Sequence, residues 1–215
     1  MSPLRTRAFA ATPTTTSSRP ALGKSRLASV HRGVVMWLTG LSGSGKTTLA
    51  TGVRGVCAER GWHVIVLDGD RFRSGVSADL GFSPADRTEN IRRAAEVAAL
   101  LAEAGTIVVA AFISPTHDSR ALARQIVERA GVAFAEVHLS ASLEICEARD
   151  VKQLYARARA GLLPGLTGVS APFEPPAAPD LRIDTGVVPY DAALSQLMTT
   201  LESLARVDRA LRPTP

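Results

Sequence analysis

The sequence contains few of the residues that build disulfide frameworks, metal cages or membrane spans. Only two of its 215 residues are cysteines, Cys57 and Cys146, and its four histidines occur singly. This number and spacing exclude a disulfide-rich scaffold and a zinc-ligand pattern, so we expect both cysteines to be reduced, buried thiols. No apolar run approaches the roughly 18 residues that a membrane helix requires, and we therefore expect no contact with a membrane.

Acidic residues are absent from the first 33 positions, which carry six basic residues. The whole chain has 25 Lys and Arg against 20 Asp and Glu, so positions 34–215 hold 19 basic and 20 acidic residues. The net charge of +5 therefore belongs to the N-terminal segment. A nearly neutral body does not favour general binding of nucleic acid.

The N-terminal segment is rich in Ser, Thr, Pro, Ala and Arg and has no hydrophobic periodicity. This composition predicts a disordered basic extension over residues 1–32 and one folded domain over 33–206. Residues 207–215 are predicted to be a disordered tail. We expect a cytoplasmic protein; the alternatives are organelle targeting through the basic extension, whose composition is similar to a transit peptide, and a start placed too far upstream.

The stretch from Gly40 to Thr47 has the pattern G-x-x-x-x-G-K-[ST] between an apolar run and a helix-like segment. Such a loop surrounds phosphates with backbone N–H groups, while its lysine reaches the β- and γ-phosphates and its hydroxyl side chain binds Mg²⁺. An incidental glycine-rich turn is the alternative. The predicted ATP-binding residues are Gly40, Leu41, Ser42, Gly43, Ser44, Gly45, Lys46, Thr47 and Thr48, with Lys46 catalytic and Thr47 a metal ligand.

Apolar runs alternate with helix-like stretches along the rest of the body, which predicts an α/β fold with helices on both faces of a mostly parallel sheet. With the phosphate loop, this indicates a three-layer fold of the P-loop kinase type. The predicted strands are 34–39, 63–67, 106–112, 134–139 and 181–183. The predicted helices are 48–60, 86–104, a segment from just after Pro115 to near Gly131, 142–149 and 190–205.

Polar side chains follow two of the predicted strands, at the sheet edge where ligands gather in open α/β folds. Asp68 is predicted to hold Mg²⁺, and Asp70 to accept a proton from an attacking hydroxyl, although both could be ordinary loop acids. Ser114 could bind a substrate phosphate or cap the next helix, and the cap is the more ordinary function of a serine before proline. Because the sequence shows no base beside it, a nucleophilic role is not favoured.

Two further segments carry cationic side chains. Arg87 and Asn90 share one face near the start of the helix that Ser83 and Pro84 open, so both can contact an anionic ligand, whereas Arg92 and Arg93 are predicted to be solvated. Residues 150–180 carry Lys152, Arg157 and Arg159 and are rich in glycine and proline. Their length and composition predict a lid over the nucleotide, with a long surface loop as the alternative.

Together these motifs resemble the adenylyl-sulfate kinase family over residues 33–185. The resemblance depends on Asp68-Gly69-Asp70 with Arg73, Asp79-Leu80-Gly81-Phe82-Ser83, Asp86-Arg87-Thr88-Glu89-Asn90, Ala111-Phe112-Ile113-Ser114-Pro115, Arg149-Asp150-Val151-Lys152 and Leu154-Tyr155, besides the phosphate loop. It implies ATP- and Mg²⁺-dependent phosphorylation of the 3′-hydroxyl of adenosine 5′-phosphosulfate. The product would be 3′-phosphoadenosine 5′-phosphosulfate, an intermediate of sulfate assimilation.

The resemblance also implies roles for individual residues and for partners. Substrate binding would involve Asp70, Arg73, Phe82, Arg87, Asn90, Ile113, Ser114, Lys152, Gly165 and Leu166. The family treats the serine at position 114 as a phosphoserine intermediate, forms homodimers, and depends on an ATP sulfurylase, which in a chain of this length would be a separate protein.

Three positions in the predicted lid depart from the family pattern. Gln153 replaces a glycine, Leu166 a phenylalanine and Phe173 a tyrosine; loss of an aromatic stacking surface at 166 would weaken nucleotide binding by about 1 kcal/mol or more. The rival interpretations are a nucleoside monophosphate or sugar kinase of the same fold, and a regulatory domain that binds nucleotide without turnover. The presence of Lys46, Asp70 and Arg87 favours an active enzyme.

Overall fold

The computed structural model describes residues 31–205, which form five strands and seven helices. The strands are β1 (Val34–Thr39), β2 (Val64–Asp68), β3 (Ile107–Ala111), β4 (Ala133–Leu139) and β5 (Leu181–Ile183). The helices are α1 (Lys46–Glu59), α2 (Gly69–Arg73), α3 (Pro84–Glu103), α4 (His117–Arg129), α5 (Leu143–Arg149), α6 (Leu154–Arg159) and α7 (Tyr190–Ala205).

The strands form one sheet in the order β2-β3-β1-β4-β5, and every pair of neighbours is parallel. In the centre, Leu38 on β1 lies opposite Ala111 on β3 and Val137 on β4. The predicted α/β fold with a parallel sheet is confirmed. Since parallel strands end at the same edge, this register brings the phosphate loop, Asp68 and the segment after β3 together.

Helices cover both faces of the sheet. Val34, Met36 and Leu38 pack on the side of α1 and α7, whereas Val35 and Trp37 pack on the side of α3 and α4. All six residues of β1 are buried. A strand covered on both faces is apolar throughout, which explains why the sequence shows a continuous run there rather than alternation.

The start of α3 has the capping residues that the sequence predicted. Ser83 Oγ accepts a hydrogen bond from the backbone N–H of Asp86, and the Asp86 carboxylate accepts from the N–H of Ser83, with Pro84 in the first turn. This reciprocal capping satisfies backbone donors that a helix leaves free. It fixes the first turns of α3, which carry Arg87 and Asn90.

Some element boundaries differ from the predictions. Helix α1 begins at Lys46 rather than at residue 48, and the short helices α2 and α6 were not predicted because five or six residues show no periodicity. The folded part also begins before residue 33, since His31 is 3% exposed and its Nε2 accepts a hydrogen bond from the N–H of His63.

The two cysteines are buried and unpaired, as predicted. Among the helices within residues 31–205, none is long and apolar enough to cross a bilayer. The predicted disordered extension and tail lie outside the described residues, apart from His31 and Arg32, and remain predictions.

The segment between α5 and β5 contains the predicted lid. Within this segment, Leu166 is 8% exposed and packs with Ala141, Cys146 and Tyr155 in a small apolar cluster. Tyr155 Oη donates a hydrogen bond of 2.8 Å to the carbonyl of Ser42 in the phosphate loop. The segment is therefore attached to the loop through α6.

His138 on β4 makes the stability of the fold depend on pH. Its side chain is 5% exposed and packs 5.8 Å from the Phe173 ring, and its Nδ1 has no hydrogen-bond partner among the described residues. Burial, together with the charges of Arg182 and Arg120, lowers its pKa from 6.5 to about 4. The unfolded chain therefore binds an additional proton at this position between these two pH values.

We expect the free energy of unfolding to fall as the pH is lowered from 6.5 towards 4, because protonation favours the unfolded state. The loss attributable to His138 is at most about 3 kcal/mol. Replacing His138 with phenylalanine, which keeps a ring against Phe173, should reduce the difference in urea midpoint between pH 7 and pH 4.5. An equally steep dependence in the variant would assign the effect to other groups.

Candidate active site

The phosphate loop encloses a half-buried lysine. Lys46 Nζ donates hydrogen bonds to the carbonyls of Gly40, at 2.9 Å, and Leu41, at 2.7 Å, and burial lowers its pKa to about 8. The loop can come this close to α5 only without a side chain at Gly43, whose φ is +79° and whose Cβ would lie 2.9 Å from the Cys146 carbonyl. The structure thus places a cation at the base of a loop whose geometry suits phosphate.

Thr47 and Asp68 provide oxygen ligands beside the loop. Thr47 Oγ1 donates a hydrogen bond of 2.6 Å to Asp68 Oδ2, and Asp68 Oδ1 accepts from the N–H of Asp70 at 3.0 Å. Asp68 is the N-cap of α2, so its carboxylate is held in place. A hydroxyl next to a carboxylate suits Mg²⁺, which is commonly bound by one or two protein oxygens together with substrate phosphates.

Asp70 lies two residues further on, with a side chain that is 71% exposed. Its carboxylate forms an ion pair with Lys152, which precedes α6. Both residues line the same cavity as the phosphate loop. The structure therefore brings together the predicted base and a lysine that is separated from it by more than eighty positions in the sequence.

Ser114 follows β3 in a conformation that is unusual for serine. It is 1% exposed with a φ of +44°, a left-handed conformation that costs on the order of 1–3 kcal/mol outside glycine. Its Oγ accepts a hydrogen bond of 2.9 Å from Trp37 Nε1, so its own proton is available to a ligand in the cavity. The favoured prediction that Ser114 caps the next helix is wrong, because Thr116 is the N-cap of α4.

A second cluster that lines the same cavity consists of Arg73, Phe82, Arg87 and Asn90. The guanidinium carbon of Arg73 lies 4.5 Å, and that of Arg87 5.9 Å, from the centre of the Phe82 ring, which is 66% exposed. Asn90 is 4% exposed, and its Oδ1 has no hydrogen-bond partner among the described residues. Two cations beside an exposed ring suit an anionic, aromatic ligand, and the free amide oxygen suits a hydrogen-bond donor on that ligand.

Arg92 and Arg93, which were predicted to be solvated, are partly exposed and form ion pairs at the surface. Arg93 bonds to Asp79 at 2.6 Å and to Glu89 at 2.9 Å, and Arg92 bonds to Glu89 at 2.7 Å. These contacts tie the segment before Ser83 to α3. They support the cluster from outside and do not line the cavity.

The phosphate loop and the second cluster open into one cavity of about 820 Å³. Of the predicted site residues, it is lined by Ser42, Gly43, Gly45, Lys46, Thr47, Thr48, Asp68, Asp70, Arg73, Phe82, Arg87, Asn90, Ile113, Ser114 and Lys152. Gly40, Leu41, Ser44, Gly165 and Leu166 do not line it. The Gly165 carbonyl accepts a hydrogen bond of 2.6 Å from Arg87, and Leu166 is buried in its cluster, so its side chain offers no stacking surface to an adenine in this conformation.

Residues without a predicted role also line the cavity near the phosphate loop. Arg149 donates to the carbonyls of Gly43, at 3.1 Å, and Thr185, at 2.6 Å, and so holds the loop against the turn after β5. The lining residues that were not predicted include Arg149, Thr185, Gly186, Val187, Val188 and Tyr190. The end of β5 obeys the same rule as the other strand ends, which could have identified this turn.

Comparison with known proteins agrees with this geometry. A family model described as adenylylsulphate kinase matches residues 32–184 of the chain. The chain belongs to the adenylyl-sulfate kinase family. The adenylyl-sulfate kinase of Paraburkholderia xenovorans is 51% identical over 179 residues, which are 83% of this chain and 98% of that protein. That of Prochlorococcus marinus is 48% identical over 174 residues, or 81% of this chain and 86% of that protein.

A solved adenylyl-sulfate kinase has the same fold. The structure of the Mycobacterium tuberculosis APS kinase in complex with AMPPNP and APS aligns with a TM-score of 0.78 and 47% identity, covering 80% of this chain and 98% of that one. The assignment made from the motifs is thereby confirmed. This assignment excludes the alternative that the chain belongs to a family of sugar kinases or nucleoside monophosphate kinases.

Proposed function

We propose that this adenylyl-sulfate kinase transfers the γ-phosphoryl group of ATP to the 3′-hydroxyl of adenosine 5′-phosphosulfate. The observation that carries the proposal is a single cavity that is lined both by the phosphate loop and by the cluster of Arg73, Phe82, Arg87 and Asn90. Asp70 lies on the wall of that cavity. One cavity of this kind supports a reaction between two bound nucleotides rather than simple nucleotide binding.

The donor binds on the side of the phosphate loop. Lys46 and the loop N–H groups neutralise and orient the phosphates, and the apolar turn from Val187 to Tyr190 offers a surface for the adenine. Thr47 and Asp68 would hold Mg²⁺, which supplies charge neutralisation at the β- and γ-phosphate oxygens. Two carbonyl contacts hold Lys46 within the loop, and phosphate oxygens can replace those carbonyls as its partners when ATP binds.

The acceptor binds on the side of α3. Arg73 and Arg87 provide charge for its 5′ anion, the Phe82 ring provides a stacking face, and Asn90 Oδ1 provides a hydrogen-bond acceptor. Asp70 accepts the proton of the 3′-hydroxyl as that oxygen attacks phosphorus, and the bond from the γ-phosphorus to the bridging oxygen of ADP breaks. Lys152 joins Asp70 to the lid, which closes the cavity to water.

Ser114 acts in this proposal as a hydrogen-bond donor. Its partner Trp37 Nε1 is a donor and cannot take a proton from the hydroxyl. A nucleophilic serine requires a base within hydrogen-bond distance, and no described side chain fills that role. The proposal therefore assigns Ser114 to binding and leaves out a phosphoserine intermediate.

The predicted partners follow from the family. A homodimer, and a separate ATP sulfurylase that supplies adenosine 5′-phosphosulfate, remain predictions.

The departure from the family pattern at position 153 is accompanied by an unusual backbone conformation. Gln153 is the N-cap of α6 with a φ of +53°, a conformation that glycine adopts at lower cost.

The activity is tested by release of ADP in the presence of Mg²⁺ and three alternative acceptors: adenosine 5′-phosphosulfate, AMP and gluconate. We expect rapid turnover with the first acceptor only, together with a product that a 3′-nucleotidase converts back to it. Without acceptor, ADP release should be slow, since a closed cavity excludes water. Equal or faster turnover with AMP or gluconate would contradict the proposal, as would binding of both nucleotides without transfer.

A further inference from the structure

The segment that carries Ser114 is held by a buried side chain that the reaction scheme above does not use. Arg120 on α4 is 3% exposed, and its Nη1 donates a hydrogen bond of 2.9 Å to the carbonyl of Ser114. A fully buried guanidinium is uncommon, because its charge must be compensated within the protein. The groups that compensate the charge of Arg120 therefore indicate the function of its burial.

Each nitrogen of the guanidinium has a different partner. Nε lies 2.8 Å from Glu136 Oε1 on β4, and Nη2 lies 2.9 Å from His117 Nδ1 in the first turn of α4. The Glu136 side chain is itself only 13% exposed. Arg120 thus joins the central sheet, the start of α4 and the Ser114 carbonyl through one rigid, planar group.

The turn after β3 is also held from the other side. The N–H of Glu174 donates to the Pro115 carbonyl at 2.8 Å, and the Glu174 carboxylate accepts from the N–H of His117 at 2.7 Å. A left-handed serine persists only where its surroundings determine its conformation. Arg120 contacts the backbone of this serine directly, at the carbonyl that also accepts a longer hydrogen bond of 3.4 Å from Thr39 Oγ1.

We propose that Arg120 is a positioning residue for Ser114. With Glu136 as its counter-ion, it fixes the Ser114 carbonyl, and the fixed backbone directs the Ser114 hydroxyl into the cavity. Arg120 does not touch the substrate in this arrangement and acts only through Ser114. The inference rests on the proposed function, in which Ser114 donates a hydrogen bond during phosphoryl transfer.

The central test is a double-mutant cycle between Arg120→Met and Ser114→Ala, measured as kcat and as KM for each substrate. Each single variant should lower kcat by about tenfold, the effect of one lost hydrogen bond at the reacting groups. In the Ser114→Ala background, Arg120→Met should cost less than about twofold, because its effect acts through a hydroxyl that is already absent. The KM for ATP should stay within about twofold throughout.

A control on the same helix separates positioning from general loss of charge. Arg124 lies one turn further along α4 and forms an ion pair of 2.6 Å with Asp180. Its guanidinium carbon lies 4.8 Å from the centre of the Phe134 ring, and it makes no hydrogen bond to Ser114. Arg124→Met should leave kcat within about twofold of the unsubstituted protein. A loss equal to that of Arg120→Met would overturn the inference.

Two further variants keep the test decisive if Arg120→Met folds poorly because Glu136 is left buried without a partner. Arg120→Met combined with Glu136→Leu removes both charges and should fold, yet it should show the same loss of kcat. Arg120→Lys keeps a charge beside Glu136 but lacks the second arm that reaches Ser114, so it should restore the thermal midpoint without restoring kcat.

Trp37 provides a direct readout of the Ser114 conformation, because its Nε1 bonds to Ser114 Oγ. In a Trp62→Phe background, Trp37 is the sole tryptophan of the chain, and its emission should shift in Arg120→Met but not in Arg124→Met.

The kinetic outcomes distinguish the two proposals. If Ser114→Ala alone keeps full activity, the proposed role of Ser114 fails. If Ser114→Ala lowers kcat and Arg120→Met lowers it again by the same factor, the proposed function stands and the inference about Arg120 fails.

Discussion

Replacing Asp70 with asparagine is expected to lower kcat by about 10²–10⁴-fold while both nucleotides still bind. The amide has the same shape as the carboxylate but cannot accept the proton of the attacking hydroxyl. The Asp70 side chain is largely exposed on the cavity wall, so its replacement should not disturb the fold. The measurement is steady-state ADP release with adenosine 5′-phosphosulfate, together with ATP binding by calorimetry.

The matched control for this substitution is Asp118→Asn. Asp118 is an exposed acid in the first turn of α4 and does not line the cavity, so its variant should retain kcat within about threefold. Asp70→Asn with kcat in that same range would remove the assignment of Asp70 as the base.

The ion pair with Lys152 provides a second check, since asparagine at position 70 also frees the lysine. Lys152→Met by itself removes the pair and leaves the carboxylate in place. If Asp70 acts as the base, Asp70→Asn combined with Lys152→Met should be at least as slow as Asp70→Asn. Recovery of turnover in the double variant would instead mean that the freed lysine caused the loss.

Replacing Lys46 with methionine is the second substitution with a large expected effect. It removes a cation fixed at the base of the phosphate loop, and kcat should fall by about 10²–10³-fold, as expected for loss of one preorganised charge or donor at the transferred group. The effect should exceed any change in KM for ATP, because the loop N–H groups still bind the phosphates.

The energetics of Lys46 make this variant readily testable. Burial disfavours the ammonium and lowers its pKa to about 8, so methionine of similar length should fit the site without lowering the thermal midpoint. A variant that folds at least as well as the parent and has lost most of its turnover would support a catalytic role. Turnover within about threefold of the parent would assign Lys46 to the structure of the loop.

The positions of the lysines in the chain also support a role for Lys46 in the active site. Only three of its 25 basic residues are lysines, at positions 24, 46 and 152. Both lysines within the described residues line the cavity, while arginines form the ion pairs elsewhere on the surface. A compact ammonium on a flexible stem suits phosphate and a mobile carboxylate, whereas arginine suits fixed bidentate pairs.

Several conclusions followed from the sequence alone because they depend on local patterns. The strand, glycine loop and helix around Lys46 form one contiguous unit, and the capping signals at Ser83 lie within four residues. The number and direction of the strands followed from alternating apolar and amphipathic segments. The ordered series of motifs was sufficient to identify the family.

Other features depended on tertiary contacts between distant residues. The sequence favoured a helix cap at Ser114, but the side chains of Trp37 and Arg120 hold that serine in a left-handed conformation, and Thr116 caps the helix instead. Similarly, the sequence indicated that Leu166 faces the nucleotide, whereas its apolar side chain is buried against Tyr155 and Cys146.

The sequence by itself determined the fold class, the phosphate loop and the family, because each is specified by residues close together in the chain. Only the tertiary structure decided which distant groups meet: Lys152 with Asp70, Arg120 with Glu136 and Ser114, and Arg149 with the turn after β5. Burial of charge and hydrogen-bond geometry decide such pairings, and neither has a periodic or local signature in the sequence.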